Sequence, residues 1–267
     1  MEIDRRAFVA TLGGTAAIEA MSSEARADAL EHYMLEQLDQ GAQAAPPTDA
    51  PLPGATSRRG VGGLFVAGRG PDGPRPLTKL EPMPAKATLL DFFKYRFAPA
   101  NHVLQSATRA LKTGMTEETV LACLLHDVVL SMIKPDHGWW GAQLIEPYVS
   151  EKVSWGIRHH QALRFFPDTS VGYVYPEQYY RIFGKDYVPD PYIHETYKFA
   201  KNHKWYMEAR LITVNDLYAF DPNAKVSIDP FVDIVGRHFK QPKEGLGYDG
   251  SPVAHMWRTI ARPDMPL

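Results

Sequence analysis

The chain has 267 residues, 45% of them hydrophobic, enough to bury a full core. Its formal net charge of −2 offers no basic footprint for nucleic acid or an anionic membrane surface. A single cysteine, Cys123, excludes an internal disulfide, and no apolar stretch reaches the roughly 18 residues that span a bilayer.

At the N-terminus, Asp4-Arg5-Arg6-Ala7-Phe8-Val9 has the pattern of a twin-arginine export motif. A weakly apolar stretch follows from Ala7 to Ala20, and Ala25-Arg26-Ala27 offers a small-x-small cleavage site. Residues 1–27 are therefore expected to be a signal sending the protein to the periplasm; the alternative is an ordinary amphipathic helix on a cytoplasmic protein. Residues 28–85 read as an N-terminal helix and a Pro/Gly-rich arm. Nine prolines between Pro46 and Pro84, interleaved with glycines, cannot hold a helix. One short strand is possible at Gly63-Leu64-Phe65-Val66-Ala67.

Residues 86–241 read as helix after helix. The first begins near Leu89. The second carries Asn101-His102-Val103-Leu104-Gln105 and closes at Gly114, a glycine placed to end it. Thr116 caps the third, with Glu117 and Glu118 in the first turn, where the helix dipole favours acids. Val120, Leu121, Leu124, Leu125 and Val128 then recur at helical spacing. Asp136 is placed to cap a helix bearing His137, Gly141 and Ala142. Ser150 caps the next, with Val153, Ile157 and Ala162 inward. After a tyrosine-rich connection, one long helix is expected from about His194 to Phe220 and a shorter one from about Pro230 to Phe239. The fold class is all-α, with an irregular tail at 242–267.

The chemistry centres on Leu124-Leu125-His126-Asp127-Val128-Val129. A charged Asp in such a run is costly to bury unless it is paired or binds a metal. Adjacent helical residues point about 100° apart, so His126 can take one cation while Asp127 reaches between two. His102 lies 24 residues earlier, a distance covered by a helix, a turn and a second helix. His137 and His159 sit near or within capped helices, and Asp216 stands in a second apolar run, Leu211 to Leu217. The ordered set His, His-Asp, His, His, Asp supplies the imidazoles and bridging carboxylates that a dinuclear site needs. Cys123 reads as a small core residue, and Glu117, Glu118 and Glu151 as solvated acids.

At these residues the sequence resembles the HD-domain superfamily, and within it the branch of mixed-valence di-iron oxygenases that includes myo-inositol oxygenase and phosphonate-cleaving oxygenases. The resemblance runs from Asn101 to Phe239. It rests on Asn101-His102-x-x-Gln105-Ser106, on Leu124-Leu125-His126-Asp127, and on His137-x-x-x-Gly141-Ala142-x-Leu144. It continues through Val149-Ser150-Glu151-x-Val153 and Ile157-x-His159-x-x-Ala162-x-Arg164-Phe165 to Asp216. It implies two iron ions (Fe2+/Fe3+), one on His102, His126, Asp127 and Asp216. Asp127 would bridge to the second, held by His137 and His159. His159 is preferred to His160 from the register of Ala162 and Phe165, and Asp216 to Asp221, which precedes Pro222 in a turn. His160, Arg164 and Trp140 are the candidate substrate contacts.

Two positions depart from the phosphonate-cleaving pattern. Leu163 stands where those enzymes carry a lysine, and Val128-Val129-Leu130 where relatives have glycine with a lysine or histidine. A phosphonate substrate is therefore not expected. The resemblance implies an oxygenase acting on a small organic molecule with O2. The alternatives are a phosphohydrolase using Mn2+ or Mg2+, and a metal-free binding module acting through its tyrosine-rich surface.

Overall fold

A computed structural model of the chain describes residues 3–12, 15–44, 69–70, 73–74, 82–84, 87–97, 100–130, 133, 135–240 and 242. The strand expected at Gly63–Ala67 and the tail beyond Pro242 lie outside these residues. The protein is all-α. Its only strands among the described residues are the two-residue β1 (Arg69–Gly70) and β2 (Gly73–Pro74), which pair antiparallel.

Three helices come first: α1 (Arg5–Thr11), α2 (Thr15–Glu19) and α3 (Ser23–Ala44). Asp4 starts α1, its carboxylate accepting the backbone N–H groups of Arg6 and Ala7. Thr88 and Asp91 form a reciprocal capping box at the start of α4 (Leu89–Tyr95). Then come α5 (Ala100–Lys112) and α6 (Glu117–Leu125), joined through Gly114. That glycine has φ +72°, a left-handed conformation that an L side chain resists. Thr116 caps α6 by accepting the Thr119 N–H.

The next pair is α7 (His137–Ile145) and α8 (Glu151–Leu163), the latter capped by the Ser150 hydroxyl. Asp136 makes no side-chain cap on α7, because its own backbone is left-handed at φ 57°. The chain continues through α9 (Glu177–Phe183), α10 (Pro191–Lys201), α11 (Tyr206–Asp216) and α12 (Val232–His238). The single long helix expected from His194 to Phe220 is thus two. It breaks where the His203 ring accepts the Trp205 N–H at 3.2 Å and stacks on Trp155 at 4.2 Å, replacing helical hydrogen bonding.

Two apolar cores result. The first joins α4 to α8, α11 and α12, and includes Phe92, Val103, Leu121, Leu124, Val128 and Ile157. The second joins α1, α3 and α9 to Leu130, Phe165, Tyr173, Leu217 and Phe220. Phe8 and Ala27, within residues 1–27, are fully buried in it. The expected cleavage site, Ala25-Arg26-Ala27, falls inside α3.

Helix α8 is the central strut, packing on α11, α7 and α6. Gly138 permits the α7–α8 crossing. A Cβ there would lie 2.7 Å from the Ile157 carbonyl oxygen and 2.9 Å from the His160 ring.

Candidate metal centre

Six helices deliver imidazoles and carboxylates to one buried place. His102 comes from α5, His137 opens α7, His160 lies near the end of α8, and Asp216 is the last residue of α11. His126 and Asp127 follow the last residue of α6, where Val128 N–H to Leu125 and Leu130 N–H to Asp127 make a tight turn. The sixth contributor, α3, carries Glu24, Asp28 and Glu31 on one face at i, i+4 and i+7. All of these side chains are buried.

Each imidazole is aimed by what holds its other nitrogen. His102 Nδ1 donates to the Ala219 carbonyl at 3.1 Å, His126 Nδ1 to Cys123 at 2.9 Å, and His160 Nδ1 to Ile157 at 2.6 Å. These bonds fix the tautomer that leaves Nε2 with a lone pair facing inward. His137 Nδ1 lies 3.1 Å from Gln161 Nε2, which also donates to Asp28 Oδ1 at 3.0 Å. His102 stacks on Phe220 at 4.4 Å, and Thr213 donates to the His160 carbonyl at 2.7 Å, so both rings are braced.

The inward atoms converge on two carboxylates. His102 Nε2 is 3.1 Å from Asp216 Oδ1 and 3.6 Å from Asp127 Oδ2. His126 Nε2 is 3.4 Å from Asp127 Oδ1 and 3.7 Å from Asp216 Oδ1, and His137 Nε2 is 3.2 Å from Asp127 Oδ1. Ligand atoms within 4.8 Å of one another form overlapping groups: Glu31, His102, His126 and Asp127; His126, His160 and Asp216; Asp127, His137 and His160. Asp127 belongs to the first and the third, the position a bridging carboxylate would take.

Among the described residues no hydrogen bond reaches His126 Nε2, His160 Nε2, either Asp127 oxygen or Glu31 Oε1. So many buried polar atoms without partners are expensive unless something else binds them. The atoms are lone-pair donors of the N and O kinds that could hold a metal ion.

The electrostatics agree. Burial disfavours charge on His126 and His137, but Asp127, Asp216 and Asp28 outweigh it and push the two imidazoles up to about 9 and about 10. Asp127 and Asp216 are held well below the carboxylate range, the surrounding imidazoles overcoming burial. His160 goes the other way, down to about 3, through burial and repulsion from His126 and His137. In the absence of a cation, His126 and His137 thus hold protons.

One expected ligand is misplaced by a residue. His160, not His159, joins the cluster. On α8 the inward face runs through Val153, Ile157, His160 and Arg164, at steps of four, three and four. His159 shares the Trp155 face instead, 4.5 Å from that ring and 5.5 Å from Phe199. Phe165, six residues on, was a misleading guide to register.

The other substrate candidates are also placed elsewhere. Trp140 is 46% exposed and packs edge-on against Trp139. Arg164 is buried and engaged by all three α3 carboxylates. Its Nη1 donates to Glu31 at 2.9 Å, and its Nη2 meets Glu24 at 3.1 Å and Asp28 more closely still. Arg210 donates to the Leu163 carbonyl at 2.9 Å and is structural. Asp221 lies in an exposed turn, and Cys123 is buried, its thiol pushed up to about 12.

Sequence reasoning missed Glu24, Asp28 and Glu31, because they lie across and just beyond the stretch that reads as a signal. Their spacing was the available signal: three acids on one helical face, beside apolar Ala27, Leu30 and Met34. No protein-family model matches the chain, and no curated protein does.

Proposed function

We propose that the chain is a metal-dependent enzyme of the HD-domain type, a di-iron oxygenase that oxidises a small organic substrate with O2. The outcome would be removal of a C–H hydrogen followed by bond cleavage or hydroxylation. The observation that carries this reading is the buried convergence of His102, His126, His137 and His160 on Asp127 and Asp216. His102, His126 and Asp216 would hold one ion, His137 and His160 the other, with Asp127 between them. Two irons so held would supply a redox-active Lewis-acid pair.

The chain's own part is to fix and shield. The Cys123, Ile157 and Ala219 carbonyls hold three imidazoles in the metal-binding tautomer. Phe220 stacks on His102, and the converging side chains are all buried, which limits water. Arg164 is buried and pairs with three buried carboxylates of α3, Glu24, Asp28 and Glu31.

This group of acids favours an oxygenase over a metal-dependent phosphohydrolase. A phosphate ester would meet three acids on α3, with the Arg164 guanidinium already engaged by them. Anaerobic reconstitution with iron, followed by metal analysis and paramagnetic resonance, tests the reading. Two irons with a coupled Fe(II)/Fe(III) signal are expected. Activity on p-nitrophenyl phosphate with Mn2+ or Mg2+ would favour the hydrolase, and no metal uptake would leave only a binding module. We further propose export by the twin-arginine route, which cell fractionation tests. No helix among the described residues is long and apolar enough to cross a membrane.

A further inference from the structure

Glu31 has a split environment. It is 1% exposed, and its two carboxylate oxygens face different partners. Oε2 accepts from Arg164 Nη1 at 2.9 Å. Oε1 has no hydrogen-bond partner, yet a Glu31 oxygen lies within 4.8 Å of ligand atoms of His102, His126 and Asp127. A buried carboxylate with an unpartnered oxygen, set beside that many ligand atoms, is placed where a cation could bind.

The helix behind it is held in place. The Ser23 N–H donates to Asp190 Oδ2 at 2.6 Å, and the Ser23 hydroxyl accepts from Tyr187 at 2.6 Å. One turn on, Asp28 accepts from Gln161, whose Oε1 in turn receives the Gly138 N–H at 2.6 Å beside His137. Arg164 gathers Glu24, Asp28 and Glu31 and so sets the Glu31 side chain against the centre.

Resting on the two-cation reading above, we propose that Glu31 is a seventh protein ligand. The N-terminal helix α3 is then a wall of the metal centre, and its docking and metal binding are coupled. Arg164 is a positioning residue in this scheme, since it touches Glu31 and not the ions.

The test is a manganese(II) titration of metal-free wild-type protein and the Glu31→Gln and His126→Ala variants, with amide hydrogen exchange of residues 23–38 followed in each. Wild type is expected to bind two ions, and exchange in α3 to slow on binding. Glu31→Gln, of nearly equal volume, should bind at least about tenfold more weakly and lose most of that slowing. His126→Ala gives the baseline of a centre broken at its core. Two ions bound by wild type with α3 exchange unchanged overturns the role of Glu31 alone, whether or not the variant folds. So does equal affinity in Glu31→Gln. No ion bound by wild type overturns the two-cation reading as well.

Discussion

His126 Nε2 and Asp127 Oδ1 belong to adjacent residues and yet stand 3.4 Å apart at the centre of the protein. On a regular helix the two side chains would diverge by about 100°. Beyond the end of α6 at Leu125, residues 126–130 run on as a turn with His126 still right-handed helical, and the two side-chain tips meet there. Both side chains then reach one point, and Asp127 can face two sets of imidazoles.

The neighbouring pair on α8 separates ligand from bystander. His160→Ala should lower metal affinity at least about tenfold, whereas His159→Ala, which changes an aromatic surface cluster, should leave metal content unchanged. Metal analysis of the two purified variants checks this. Loss of metal in His159→Ala alone would restore the register expected from Phe165.

Metal binding should release protons. His126 and His137 are raised to about 9 and about 10 without a cation, so at pH 7 both carry a proton that an incoming ion displaces. Affinity should therefore rise with pH from 6 to 9. Titration calorimetry in buffers of differing ionisation enthalpy measures the release. Affinity independent of pH would count against these imidazoles as ligands.

The metal-free fold should show the reverse trend. Raised imidazoles contribute stability that is complete below about 6.5, their ordinary value, and is lost as pH climbs through about 9 to 10. Glu24, which burial pushes up to about 7 against the pull of Arg164, adds a cost that grows as pH rises toward 7. Metal-free protein should thus melt at a lower temperature at pH 9 than at pH 6, and added metal should narrow the gap. Melting curves at the two pH values, with and without metal, decide the matter.

Arg164 pairs with all three buried acids of α3. Arg164→Met removes the counter-charge and should destabilise the metal-free protein by about 3–5 kcal/mol. A chain starting at Asp28 should be milder but in the same direction, since it loses Glu24 and the Ser23 contacts. Denaturant unfolding with circular dichroism measures both. A truncated chain as stable as the whole, with full metal content, would show that residues before Asp28 are dispensable.

Gly138→Ala should pry α7 from α8. The added methyl carbon falls 2.7 Å from the Ile157 carbonyl oxygen, a backbone atom with no rotamer to change. A cost of about 1–3 kcal/mol and reduced metal content are expected, because His137 and His160 sit on the two helices being parted.

Much of this arrangement was legible beforehand. Helical periodicity and the caps at Thr116 and Ser150 located the helices, and His126-Asp127 marked the centre because an ionised Asp in an apolar run needs a partner. What escaped was set by tertiary contact. His160 over His159 depended on which face of α8 meets α7 and α11, and both faces carry apolar residues. The break at Asn202–Trp205 depended on a ring stacking on Trp155. Glu31 depended on how α3 lies across the domain, which no local pattern encodes.

The most direct measurement is the metal content of anaerobically reconstituted protein, read together with its paramagnetic resonance spectrum. Two irons per chain with a coupled Fe(II)/Fe(III) signal, abolished in His126→Ala, are predicted. Wild-type protein that takes up no metal, or that takes up as much in His126→Ala, would contradict the proposal of a buried two-cation centre.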